Sequence, residues 1–269
     1  MTAVRSAIEL TRHELLWVVE QCGGDGWPYP LRRAHWPAET EEETAVHRAR
    51  AEAALGGRGL LAPGAASLLL AVGDLVRDWR LAVDLVHRST STPRVGVGVS
   101  DGRRAAVLVS TDHTEAPVLV SAAPPDRLPE AVLAVLPSCA RGTGIAVGVP
   151  ADALRPGQDT STDAAPATRR GADARRHARR LLDSATGWAQ AGVAVRPLPA
   201  GPGPPGPPVR REPLVMWLDG PHGRHRVVHD RRGGPVRALV APVDDAELAA
   251  DLHRVISGAP PLPPGRSAA

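Results

Sequence analysis

The chain has 269 residues, which is enough for one large domain or two small ones with a sizeable apolar core. Its formal net charge is only +3, with 32 basic residues that are all arginine against 29 acidic ones, and so mild a surplus does not by itself indicate a nucleic-acid partner. The two cysteines, Cys22 and Cys139, lie far apart and outside any CxxC motif, which argues against a disulfide framework or a cysteine-based zinc site.

Three helices are predicted in the N-terminal part of the chain. Thr11 with Glu14, and Thr40 with Glu43, have the spacing of capping boxes, so helices are expected to begin at these two threonines. The first should run to about residue 21 and the second should end near residues 56 and 57. A third helix over about residues 65–78 is indicated by apolar side chains at helical spacing, namely Leu68, Leu69, Val72, Leu75 and Val76.

The apolar period then changes to two, which predicts strands. Residues 79–87 have the alternation of a half-buried strand, and residues 94–99 and 104–110 are predicted to pair across the hairpin turn Ser100-Asp101-Gly102. A weaker strand follows at residues 118–122. Asp126 is expected to cap a helix that ends before Pro137, and residues 143–149 are predicted to form another strand.

The last third of the chain repeats this pattern. Residues 155–172 lack periodic apolar residues and predict a mobile loop, which precedes a helix over about residues 173–191 and a Pro-rich connector over residues 197–208. Strands are expected at residues 214–219, 224–229 and 236–241. A final helix should begin with a capping box of Asp244 and Glu247, and residues 259–269 are expected to form a disordered tail.

Two sections therefore share the order strand, turn, strand, strand, helix, at residues 94–136 and 214–256. Because each section alone has too few strands to bury an apolar face, both are expected to contribute to one sheet. The predicted fold class is α+β, with a central, mostly antiparallel sheet from two pseudo-symmetric strand-strand-strand-helix units flanked by helices. We expect a single domain over residues 1–258, with halves at about 1–150 and 173–258.

No motif predicts catalysis. GxSxG, HExxH and P-loop patterns do not occur, and the glycines at 96, 98 and 102 suit a strand kept thin where another segment crosses it. His222, His225 and His229 are the best metal candidates, but His225 and His229 would lie about 13 Å apart on a strand, and an exposed hairpin is their expected setting. We expect a protein without enzyme activity, metal or cofactor.

The sequence also contains no signal for export or membrane insertion. The first ten residues carry Arg5 and Glu9 and lack an apolar core of signal-peptide length. No apolar run approaches the length of a membrane span. A cytoplasmic location is therefore expected.

The densest charge cluster precedes and enters the predicted helix at residues 173–191, and it consists of Arg169, Arg170, Arg175, Arg176, Arg179 and Arg180. On that helix the arginines stack at i,i+4, while Leu181, Leu182, Ala185 and Trp188 would face inward. Two interpretations remain open, a solvated face or a contact with an acidic protein partner. Nucleic acid is disfavoured because no aromatic residues interleave with the arginines.

In the order and spacing of its motifs the chain resembles the EspG family over nearly its whole length. The stretches that carry the resemblance are Pro28-Tyr29-Pro30-Leu31, residues 55–61 (LGGRGLL), the alternating strand after Trp79, Val215-Met216-Trp217-Leu218, Gly223-Arg224 at the start of a strand, and Ala241-Pro242-Val243-Asp244 before the terminal helix. The resemblance implies a mixed α/β fold around a central sheet with pseudo-twofold symmetry.

It further implies a cytosolic chaperone of actinobacterial type VII (ESX) secretion that binds PE/PPE heterodimers and covers an apolar tip of the PPE partner. By the same resemblance, residues 89–94 match the partner-facing hairpin loop of the family, and residues 173–191 match part of its helical side. The expected partner-binding residues are Ser89, Thr90, Ser91, Thr92, Pro93, Arg94, Arg176, Arg180 and Trp188. The alternative is an enzyme or ligand-binding module with a cleft between the two repeats.

Overall fold

The protein folds as a mixed α+β chain with a large antiparallel sheet. The structure, a computed structural model, describes residues 7–24, 27, 29–31, 35–89, 91, 93–111, 116–151, 169–197, 206–230 and 237–258. The chain divides into two compact units. The first consists of Met1–Val86, Pro93–Val135 and Val193–Arg211, and the second consists of His87–Thr92, Leu136–Gly192 and Glu212–Ala269.

The first unit begins with a short strand and three helices and continues with four strands and a helix. These elements are β1 (Ile8–Leu10), α1 (Arg12–Gln21), α2 (Glu41–Gly57), α3 (Pro63–Asp78), β2 (Leu81–Ser89), β3 (Arg94–Ser100), β4 (Ala105–Ser110), β5 (Val118–Ala123) and α4 (Leu128–Leu133). Their strands lie in the order β1-β5-β4-β3-β2. The pairs β1/β5, β5/β4 and β4/β3 are antiparallel.

Strand β3 shows how alternation assigns side chains to the two faces of this sheet. Val95, Val97 and Val99 enter a core cluster with α1 and α3. Gly98, between two of them, faces α4, and a Cβ added there would lie 2.5 Å from Cγ2 of Val132 and 2.6 Å from Cδ1 of Leu128. This confirms the prediction that glycine keeps the strand free of a side chain where another segment crosses it.

The second unit repeats the same plan with one helix in place of three. Its elements are β6 (Val147–Pro150), α5 (Arg169–Asp183), β7 (Gly187–Val195), β8 (Val209–Asp219), β9 (His225–Asp230), β10 (Arg237–Pro242) and α6 (Asp245–Ser257). The strand order is β7-β8-β9-β10-β6, and β8/β9, β9/β10 and β10/β6 are antiparallel. Ala178 and Leu181 of α5 pack on Val147, Val149, Val227, Ala238 and Val240.

The predicted repeat of three strands and a helix is confirmed as β3-β4-β5-α4 and β8-β9-β10-α6. The structural repeat is longer than the predicted one, because each unit also contains an earlier pair of strands, β1 and β2 or β6 and β7. In each unit the first strand pairs antiparallel with the last, β1 with β5 and β6 with β10.

All three predicted capping boxes are present. The Thr11 hydroxyl accepts a hydrogen bond from the Glu14 amide at 3.1 Å, and the Glu14 carboxylate accepts one from the Thr11 amide at 2.7 Å. Thr40 with Glu43, and Asp244 with Glu247, make the same reciprocal bonds. Each box satisfies amides that a helix start would otherwise leave unpaired.

The predicted helix over residues 173–191 is wrong at both ends. Helix α5 begins at Arg169 and ends at Asp183, and Gly187 begins strand β7. Ala189, Ala191 and Val193 are buried at alternate positions, a period that the small, helix-favouring alanines conceal in the sequence. The predicted mobile loop is consequently wrong for residues 169–172, and its residues 155–168 lie outside the described residues.

Three smaller corrections concern boundaries and burial. Strand β2 is buried over six consecutive residues, 82–87, so the half-buried assignment is wrong. Asp126 lies in the 3-10 turn Pro125–Arg127 and caps no helix; α4 starts at Leu128 without a side-chain cap. Strand β6 starts only at Val147, because Gly144 adopts a φ of +93° and the Thr143 amide bonds to the His222 carbonyl.

The predicted connector over 197–208 falls outside the described residues except at its ends, because residues 198–205 are not described, and the predicted tail over 259–269 lies wholly outside them. The described ends of the connector, Pro197 and residues 206–208, have no regular structure. No helix in the described part of the chain has both the length and the apolar character needed to cross a bilayer.

Candidate functional site

The predicted loop site lies between β2, which ends at Ser89, and β3, which begins at Arg94. Ser91 is exposed and Pro93 is half-buried, whereas Thr90 and Thr92 lie outside the described residues. The guanidinium of Arg94 donates a hydrogen bond to the Val135 carbonyl just beyond α4. Its contact fixes the start of β3 within the first unit.

Trp188 lies beside the residues that lead into this loop. It is on β7 and is 40% exposed, and the guanidinium carbon of Arg88 lies 5.6 Å from the centroid of its ring. A Cβ added to Gly187 would lie 3.0 Å from Nε2 of His87 and 3.4 Å from Cβ of Ser89, so β7 packs tightly on the end of β2. The structure therefore brings Trp188 to the loop through a strand, not through the helix that the sequence predicts.

Arg176 and Arg180 lie instead on α5, whose buried residues pack on β6, β9 and β10. Both arginines are exposed. Arg176 forms an ion pair with Asp173, and Arg179 forms one with Asp183 at 3.0 Å. Part of the charge of the helix is thus offset along its own surface.

Next to the end of β2, the second unit contains a buried ionic network that the sequence did not reveal. The fully buried side chain of Arg224 donates to both carboxylate oxygens of Asp219, at 2.7 and 3.0 Å. It also contacts the Asp245 carboxylate and donates to the Pro137 carbonyl. His87 Nε2 lies 3.6 Å from Asp219 Oδ2. The network joins the ends of β2 and β8 to the starts of β9 and α6.

Burial and the charges of this network shift the pKa values of Asp219 and of the nearby Cys139. Burial raises the pKa of Asp219, but hydrogen bonds from His87 and Arg224 outweigh burial and hold it below its ordinary value. Burial also raises the pKa of the Cys139 thiol, and the charge of Asp219 raises it further. The Cys139 thiol therefore lacks the lowered pKa that a cysteine nucleophile needs.

The three candidate metal-binding histidines are separated in the structure. His225 is buried, and its two ring nitrogens lie 3.2 Å from the Gly223 carbonyl and 3.1 Å from the Thr143 carbonyl. The exposed setting predicted for it is wrong, whereas His222 and His229 are exposed. Among the described residues, no group of three or more histidine, cysteine or acidic side chains is arranged to hold a metal ion.

Comparison with known proteins identifies the family. A family model described as the EspG family matches residues 11–254. No curated protein gives a match. Among solved structures, the chain is similar to the Mycobacterium tuberculosis type VII secretion system chaperone EspG5, determined in complex with the PE25-PPE41 dimer. The two share 12% identity with a TM-score of 0.61, over 95% of this chain and 97% of that one. Because the family model covers most of the sequence and the fold agrees, the chain belongs to the EspG family.

Proposed function

We propose that this protein is a non-enzymatic chaperone of type VII secretion that binds a PE/PPE-type heterodimer in the cytoplasm before export. The observation that carries the proposal is the match of the EspG family model over residues 11–254. The fold is consistent with it, since the similar EspG5 chain was solved in complex with a PE25-PPE41 dimer.

The proposed contact surface is the β2–β3 loop together with Trp188. Holding a partner requires a surface that excludes water from an apolar tip and a foundation that does not rearrange on binding. The exposed ring of Trp188 offers apolar area, and the loop offers small polar groups for register. The buried network of Asp219, Arg224 and His87 holds the strand ends below them.

The proposal is tested by co-expression with each PE/PPE-type gene pair of the source genome, followed by affinity purification and size-exclusion chromatography. We expect one or more heterodimers to co-elute with the protein as a stable complex. If no PE/PPE-type heterodimer is retained, the proposed function is wrong.

The site within the protein is tested by shortening the loop. Replacing residues 90–93 with Asn-Gly should leave the fold nearly intact, because closure entropy depends only weakly on loop length. We expect the affinity for the captured heterodimer to fall at least about tenfold, or about 1.4 kcal/mol. The measurement is isothermal titration calorimetry, with circular dichroism as the check on folding.

The matched control is the turn at the other end of β3. Residues 101–104 also number four and connect β3 to β4, so the same Asn-Gly replacement there changes chain length equally at a site away from the loop. We expect it to leave affinity unchanged. Equal affinity of both shortened proteins and the wild type would show that the β2–β3 loop is not the site.

A further inference from the structure

Trp188 differs from the other tryptophans of the chain. Trp17, Trp79 and Trp217 are buried, and Trp27 and Trp36 are partly buried, whereas Trp188 exposes 40% of its surface. A large aromatic ring held on a strand and left open to water is typical of the anchor residues that dominate protein interfaces.

The guanidinium above this ring also differs from its counterparts. Among the residues that the structure describes, three other arginines stack on aromatic rings, and an oxygen holds each of them. Arg210 over Tyr29 pairs with Asp84 at 2.9 Å, Arg224 over Trp217 binds Asp219, and Arg196 over Trp79 donates to the Arg77 carbonyl at 2.7 Å. Arg88 over Trp188 has no such oxygen among the residues that the structure describes.

A partner could supply the oxygen that pairs with the Arg88 guanidinium, in the form of a carboxylate. A guanidinium has five N–H donors in one plane and pairs well with a carboxylate, while its face stays on the ring. Arg88 is exposed, so the edge of its guanidinium is accessible from solvent. In the two cases where a carboxylate is present, at Asp84 and Asp219, the arginine pairs with that carboxylate while it stays stacked on its ring.

The pair is also held in place before any partner binds. Gly187 packs against His87 and Ser89, so the strand segment that carries Trp188 is fixed against the end of β2. His87, directly before Arg88, is buried beside Asp219. Little conformational entropy is therefore lost when a partner contacts the ring.

Resting on the proposed function, we propose that Trp188 and Arg88 determine specificity, and that they bind a PE/PPE-type helix tip in which an Asp or Glu carboxylate lies next to an apolar side chain. The apolar side chain covers the ring of Trp188, and the carboxylate pairs with the edge of Arg88. The contact is a charge-assisted hydrogen bond at the rim of an apolar anchor.

The first test compares Arg88→Glu, Arg88→Lys and Trp188→Ala with Arg103→Glu, which makes the same charge change at an exposed position in the β3–β4 turn. The probe is the PE/PPE-type heterodimer that the wild type captures, titrated at low and high salt. We expect Arg88→Glu and Trp188→Ala to weaken binding at least about tenfold, Arg88→Lys to weaken it less, and Arg103→Glu to leave it unchanged. Binding by Arg88→Glu should also depend less on salt than binding by the wild type.

The second test reverses the charge on the partner. Changing one carboxylate of the helix tip to lysine should restore binding to Arg88→Glu and weaken binding to the wild type. If wild type binds a heterodimer whose tip carboxylates have all been neutralised as tightly as the original, the inference is wrong and the proposed function stands. The inference is also wrong, and the proposed function still stands, if the Arg88 and Trp188 variants bind the heterodimer with the same affinity as Arg103→Glu. Nucleic acid that co-purifies with wild type but not with Arg88→Glu would also contradict it. If wild type captures no heterodimer, both proposals are wrong.

Discussion

Arg224 and Arg179 carry the same charge in opposite environments. Arg224 is fully buried against Asp219, whereas Arg179 pairs with Asp183 with 43% of its side chain exposed. Removing one member of a buried pair leaves the other charge without compensation, which costs about 3–5 kcal/mol, while an exposed pair contributes about 0–1 kcal/mol.

We therefore expect Arg224→Met to lower the free energy of unfolding by about 3 kcal/mol or more. The control Arg179→Ala should change it by about 1 kcal/mol or less. Urea denaturation followed by circular dichroism measures both. A loss of about 1 kcal/mol or less in Arg224→Met would mean that water enters and solvates Asp219.

Asp84 leads to a prediction about pH. Burial raises the pKa of this carboxyl above its ordinary value, although Arg210, 46% exposed, lowers it in part. The folded state then binds a proton more tightly than the unfolded state, so wild type loses stability as pH rises from about 3.9 through the raised folded value. Because Asn does not titrate, we expect the stability of Asp84→Asn relative to wild type to increase between pH 4 and pH 7.

Asp101 provides the control, because its pKa is shifted in the opposite direction. Burial raises its pKa, but the amides of Arg103 and Arg104 and the Arg104 side chain outweigh burial and lower it. Its contribution to stability is present above the unfolded pKa and is lost as pH falls, so Asp101→Asn should lose stability relative to wild type as pH rises. Urea midpoints at four pH values give both comparisons. Parallel curves for the two variants would contradict the assignment.

At the scale of single elements, the crossing of α4 over β3 can be tested with two glycines on one strand. A Cβ at Gly98 would lie under 3 Å from Leu128 and Val132, whereas a Cβ at Gly96 would meet its nearest atoms at 3.6–3.8 Å. We expect Gly98→Ala to destabilise the protein by about 1–3 kcal/mol through overpacking. Gly96→Ala should be neutral or slightly stabilising, because Gly is unfavourable within a strand. The measurement is thermal unfolding of the two variants. Equal melting temperatures would contradict the close packing of α4 on β3.

Elements with local signals were predictable from the sequence. Thr11, Thr40 and Asp244 each precede a helix with a Glu three residues on, and these caps need only neighbouring backbone to form. Strand β7 was not predictable, because its alternation runs through Gly187, Ala189 and Ala191, small residues that carry little hydrophobic contrast. The boundary between α5 and β7 is thus set by tertiary packing.

The candidate site was predictable only in part. The position of the β2–β3 loop followed from the strands on either side of it. Arg88 could not be singled out, because stacking on Trp188 depends on pairing between strands about a hundred residues apart. Likewise, nothing local marks Arg224 as buried, since its carboxylate partners come from the end of β8 and the start of α6.

At the scale of the whole molecule, the prediction of a single domain can be tested by unfolding. The chain passes from one unit to the other within β2, β7 and β8, so each of these strands supplies residues to both units. We expect one cooperative transition in urea, with tryptophan fluorescence and far-UV circular dichroism giving the same midpoint. Each unit contains a buried tryptophan that serves as a fluorescent probe, Trp79 in the first unit and Trp217 in the second unit. Two separate transitions would show that the units unfold independently.

The division of the chain also determines when folding can finish during synthesis. The last segment of the first unit, Val193–Arg211, leaves the ribosome after residues 136–192 of the second unit. It carries Ala194, which packs on the core of the first unit, Arg196, which stacks on Trp79, and Arg210, which pairs with Asp84. A nascent chain of 135 residues therefore lacks both the arginine that stacks on Trp79 and the arginine that pairs with Asp84. The first unit can therefore complete its packing only after residues 193–211 have been synthesised, although its other two segments end at residue 135.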